Sequence, residues 1–149
     1  MTRLYPQTTW EAYARNSVLE YLLIGDLRDL LEEPADEETR HWLLAVLDQL
    51  LSLLPSEFEF EDRDGYLSDV CEENPNWAPK VDRLHQQREE LYHALWRLRN
   101  RIADEENYDI IADEIKPQLR KWINAERRLR ASERNLVVMS YDTTFGGEG

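Results

Sequence analysis

Charged side chains stand where an apolar helix seam should close, and this constrains the fold more than any other feature of the chain. Val81, Leu84, Arg88, Leu91, Leu95, Leu98 and Ile102 recur at steps of three and four, the spacing that places side chains on one face of an α-helix. Arg88 is the only charge on that face. A second seam, Leu43, Leu47, Leu50 and Leu54, runs on to Glu57 and Glu61. A third reads Ile115, Leu119, Trp122, Glu126, Leu129, Glu133 and Leu136. A buried charge is costly unless it is paired or metal-bound, so the pattern predicts that one cation and several carboxylates meet inside a helical bundle. The competing reading places Glu57 and Glu61 on an exposed turn after Pro55 and lets Arg88 extend its head to solvent along an apolar stripe.

The rest of the chain is compatible with a single soluble bundle. Its 149 residues, 42% of them hydrophobic and 33% charged, suit one domain with one core. Apolar runs such as Leu22–Ile24 and Leu50–Leu54 fall well short of the roughly 20 residues a membrane-spanning helix needs, and Met1–Gln7 lacks the basic and apolar parts of a signal segment. A cytoplasmic protein without membrane contact is the expectation. A net charge of −13 repels phosphate backbones, and the basic residues at 83–101 and 116–134 are interleaved with acids, so nucleic acid is not an expected partner. The single Cys71 excludes an internal disulfide, and its acidic surroundings make it a poor nucleophile.

Punctuation divides the chain into four long helices with short connections. Thr8 and Glu11 form a capping-box pattern for a first helix that Pro34 ends, and Asp36 caps a second. Pro55 demands a kink or a restart there, with Ser56 and Glu59 as a new capping box. A turn at Asp62–Gly65, a short helix from Tyr66 to Glu72 and a loop from Asn74 lead to Pro79, in the first turn of the third helix. A fourth helix spans about Asp109–Ser140 with a kink near Pro117. Residues 1–140 thus read as an all-α, antiparallel up-down four-helix bundle, and the Gly-rich residues 141–149 as a flexible tail.

These residues resemble the hemerythrin-like, or HHE cation-binding, bundles. The likeness spans most of the chain and is greatest from Leu53 to Leu67, where Glu57-Phe58 and an acidic run before Gly65-Tyr66 match the family's second-helix segment. The resemblance implies a di-iron centre held by histidines and two bridging carboxylates. Matched position by position, its ligands fall on Ile24, Glu57, Glu61, Arg88, Leu129 and Glu133, so every imidazole is replaced and only Glu61 and Glu133 remain of the expected type. Arg88 then supplies a cation between carboxylates, since a guanidinium holds two of them in bidentate fashion. The expectation is a bundle that has lost its metal, has no catalytic role and acts as an interaction or regulatory module. The alternative is a di-iron, other divalent-metal or oxygen-binding protein with a carboxylate-rich site of Glu57, Glu61, Glu126 and Glu133.

Other constellations are weaker. His85, Glu89 and His93 share one stripe at zinc-ligand spacing but lie beside the seam and lack a fourth ligand, which favours a solvated flank. The acids from Glu57 to Asp64 do not follow the order of a calcium loop. No nucleophile elbow or phosphate-binding glycine motif is present. Trp10, Trp77 and Trp96 fall outside the seams; an exposed aromatic cluster on an acidic surface would favour a protein partner with a basic surface.

Overall fold

The computed structural model describes residues 7–63, 72 and 75–148, and these form four long α-helices with no strand among them: α1 (Gln7–Leu31), α2 (Glu37–Arg63), α3 (Ala78–Asp104) and α4 (Tyr108–Glu148). A single 3₁₀ turn, Pro75–Trp77, leads into α3, with proline in the helix's first turn, where a missing N–H costs nothing. Each helix packs on the next in the chain, and α4 closes against α1. Asp36 caps α2 as its spacing implies, accepting from the Thr39 backbone N–H at 2.8 Å. The short helix expected from Tyr66 and the lone Cys71 lie outside the described residues.

Three boundaries differ from the sequence expectation. α1 already includes Gln7, so Thr8 stands in its first turn and does not cap it. α2 runs through Pro55 without a restart, because Leu54, Glu57 and Glu61 on either side are all buried and tertiary packing outweighs the lost hydrogen bond. α4 runs through Pro117 and on to Glu148, so residues 141–148 extend the helix where a non-helical tail was expected. Once a helix is nucleated, each added residue brings its own hydrogen bond, and a local count of glycines underrates that.

The core is divided. A large cluster joins α1 through Leu27 and Leu31, α2 through Leu43 to Leu54, α3 through Leu95 and Ile102, and α4 through Ile115, Leu119 and Trp122. A smaller one holds Val81, Leu84, Leu129 and Leu136. Between the two, α3 carries Arg88 and α4 carries Glu126. At the end of the bundle away from this break, cations from neighbouring helices close two helix C-termini. Arg40 donates to the carbonyls of Ile102, Ala103 and Glu105 at 3.1, 2.9 and 2.6 Å, while Lys116 and Arg120 reach the Glu33 and Leu31 carbonyls. Cations there also complement the negative end of the helix dipole.

Candidate functional site

The break in the core is an ionic layer of two arginines and six acids. Arg88, 2% exposed, donates through Nη1 to Asp62 Oδ1 at 2.6 Å, through Nη2 to Glu61 Oε1 at 3.4 Å and through Nε to Glu133 Oε1 at 3.5 Å. The predicted convergence of Glu61, Arg88 and Glu133 is therefore present. Glu57 joins the layer, also 2% exposed, so the reading of a frayed turn after Pro55 does not hold.

A second cation, Arg130, is the group that sequence reasoning did not single out. Its Nη2 donates to Glu57 Oε2 at 2.8 Å and to Glu20 Oε2 at 2.9 Å, and its Nη1 to Glu61 Oε1 at 3.2 Å and Glu133 Oε2 at 3.3 Å. Glu61 and Glu133 thus each bridge both guanidinium groups. The Phe58 ring lies beside the pair, 4.9 Å from the Arg88 guanidinium carbon and 5.3 Å from that of Arg130, so an aromatic face adds cation–π attraction. Glu20 supplies the contribution of α1. Ile24, one turn later, packs in the large apolar cluster, and Leu129 packs in the small one, so neither of these expected positions enters the ionic layer.

Six carboxyls, Glu20, Glu57, Glu61, Asp62, Glu126 and Glu133, face two guanidinium groups, and burial favours protons on three of them, which relieves part of the excess of four negative charges. Burial, and then a hydrogen bond with Glu20, pushes Glu57 up to about 9. Burial and the Glu20 charge push Glu126 up to about 7. Burial also raises Glu133 to about 7, against the pull of Arg130 and with the help of Glu61. For both arginines, burial works against the charged form, but the surrounding carboxylates prevail and hold the pKa above its ordinary value. Glu57 Oε1 and Glu126 Oε2 are buried without a hydrogen-bond partner among the described residues.

The donor set does not fit a di-iron centre. The layer has no imidazole, since the nearest, His85, is spent on Asp62 Oδ1 at 2.9 Å at the edge. Two guanidinium groups occupy its middle, and like charges about 4 Å apart repel by roughly 4 kcal/mol at an effective dielectric of 20. Among the described residues no three His, Cys, Asp or Glu side chains are grouped so as to hold a metal ion, the His85, Glu89 and His93 stripe included. The acids from Glu57 to Asp62 lie on α2, not in a loop. Trp77 packs against the small apolar cluster and Trp96 lies well along α3 beside Tyr92, so these two do not form one aromatic surface; the side chain of Trp10 lies outside the described residues. No helix among the described residues is long and apolar enough to cross a membrane. Comparison with protein-family models, curated proteins and solved structures gives no match.

Proposed function

We propose that this chain is a metal-free bundle of the hemerythrin-like kind, its helices running antiparallel up and down, and that it serves as a non-catalytic interaction or regulatory module of the cytoplasm. The observation that carries this reading is the pair of guanidinium groups bridged by two carboxylates. Glu61 and Glu133 each touch both Arg88 and Arg130, which is the charge arrangement of two metal ions under two bridging carboxylates with arginines in place of the metals. The contacts between helices support the topology. Residue numbers that rise along one helix fall along its neighbour, as in Arg40 with Ile102 against Arg88 with Glu61, and in Trp122 with Leu91 against Glu133 with Arg88.

A second reading, a divalent-metal site on Glu57, Glu61, Glu126 and Glu133, draws on the two unpartnered oxygens Glu57 Oε1 and Glu126 Oε2. Burial favours the protonated forms of Glu57, Glu126 and Glu133, and Arg130 holds Glu57, Glu61 and Glu133 at once, which favours the metal-free reading. Elemental analysis of protein purified without chelators, with a thermal shift assay in ferrous, manganous and zinc salts, separates them. The metal-free bundle returns no stoichiometric metal and no shift in melting temperature, whereas a binder is stabilised by its ion. One equivalent or more of iron, manganese or zinc overturns the proposal.

A further inference from the structure

Four basic residues of α3 and α4 line one groove. Between these helices runs a depression of about 1020 Å³ whose floor is Leu91, Leu98, Trp122 and Leu129, with Ala94 and Ala125 facing it. The two alanines make it hollow, because they remove side-chain bulk where the flanking leucines supply it. Trp122 sets the depth: its indole N–H donates to the Leu91 carbonyl at 2.8 Å and ties the ring of α4 to α3. Lining residues span Gln87 to Arg101 and Gln118 to Ser132, about 21 Å of helix at 1.5 Å per residue, which is four turns.

Arg97, Arg101, Lys121 and Arg128 also line the groove, with Glu90 as the single acid. That balance is positive on a chain whose net charge is −13. Arg101 is paired with Glu114 at 3.0 Å, while Arg97, Lys121 and Arg128 make no ion pair among the described residues. Unneutralised cations flanking an apolar floor match an anionic amphiphile with the length of a short helix. We infer that the α3/α4 groove docks an acidic amphipathic helix of a partner protein, apolar face down and glutamates or aspartates against Arg97, Lys121 and Arg128. An extended polyanion fits poorly, because it has no apolar face to cover Leu91, Leu98, Trp122 and Leu129.

This rests on the reading of the protein as a binding module, and among the described residues no charged side chain of the groove is paired with the Arg88–Arg130 layer. The probe is a fluorescein-labelled synthetic peptide of about five helical turns, leucines at i, i+3, i+4 and i+7 and glutamates on the flanks, followed by fluorescence anisotropy. Controls are the same peptide with lysines for glutamates, and vesicles of phosphatidylserine. The acidic peptide is expected to bind, to weaken as salt rises, and to lose about tenfold or more in affinity in the Lys121→Glu, Arg128→Glu double variant. Ala125→Met, which fills the hollow, is expected to abolish binding at an unchanged helical circular dichroism spectrum. Failure of the acidic peptide to bind, equal binding of the lysine peptide, indifference to the charge reversals, or capture by vesicles in place of peptide overturns the inference. Such a failure in protein that remains free of metal leaves the reading of the ionic layer intact, whereas metal uptake by protein that still binds the peptide removes that reading alone.

Discussion

Replacing Arg130 by methionine keeps most of the apolar stem and removes the cation that Glu20, Glu57, Glu61 and Glu133 share. Removing one partner of a buried ion pair costs about 3–5 kcal/mol, and here the stranded partners are acids that can take up protons. Glu57, Glu126 and Glu133 already titrate above the ordinary carboxyl range in the folded protein, near 9, 7 and 7. A folded-state pKa raised above the unfolded value gives stability that is fully present below the unfolded pKa and is lost as pH rises through the folded one. Without Arg130 these pKa values rise further, so the variant holds more protons and its stability falls more steeply with pH. One extra proton corresponds to about 1.4 kcal/mol per pH unit. The loss is therefore expected to be about 3–5 kcal/mol near pH 8 and only about 0–1.5 kcal/mol near pH 5.5. Urea denaturation followed by far-ultraviolet circular dichroism at both pH values measures it. A loss under about 1 kcal/mol near pH 8, or a larger loss in acid than in base, refutes the reasoning.

Three further substitutions test other parts of the structure. Glu57→Gln copies the protonated acid, keeping an acceptor for Arg130 without having to take up a proton on folding; it is expected to match the native protein below the ordinary carboxyl pKa and to become the more stable of the two as pH rises from there toward about 9, where the native carboxyl ionises. A clear destabilisation near neutrality would mean that the group is charged there. Arg88→Ala is expected to cost about 3–5 kcal/mol, with part recovered when Glu61 and Glu133 are both changed to Gln; a cost of a few tenths marks a surface residue. Arg40→Ala strips the carbonyls of Ile102, Ala103 and Glu105 of a charged donor, and the expected loss of about 1.5–3 kcal/mol in the same urea assay, if absent, shows that water replaces the guanidinium at that helix end.

The periodic seams made the helices and half of the ionic layer legible. Arg88, Glu57, Glu61 and Glu133 were found because each interrupts an apolar stripe, and the cost of an unpaired buried charge forced them together. Arg130 escaped because it stands beside the Glu126, Leu129, Glu133 stripe, and seam logic tracks where Cβ atoms point rather than where a long side chain can swing its head. Its spacing of four from Glu126 and three before Glu133 was the available signal. Glu20 sits one turn ahead of Ile24, so its i, i+4, i+7 relation to Ile24 and Leu27 would have placed it on the inner face of α1. Leu129 is a different case: its position is as expected, but the leucine joins Val81, Leu84 and Leu136 and leaves the ionic layer to its neighbour. The two prolines misled because they are local signals, whereas continuity of α2 and α4 across them is decided by the buried residues on either side; the Gly-rich end misled because a nucleated helix gains a hydrogen bond with each added residue.

Two guanidinium groups, held by shared carboxylates, fill the middle of the ionic layer. Nitrogen-15 NMR of the arginine side chains reads those groups directly. Slow solvent exchange is expected for the Nε–H signals of Arg88 and Arg130, together with that of Arg40, whose Nε donates to a carbonyl. Arg88→Lys and Arg130→Lys should each delete one of these signals, and ferrous or zinc ions should leave the protected signals in place. Rapid exchange at Arg88 and Arg130, or loss of their signals on adding metal, would contradict the account.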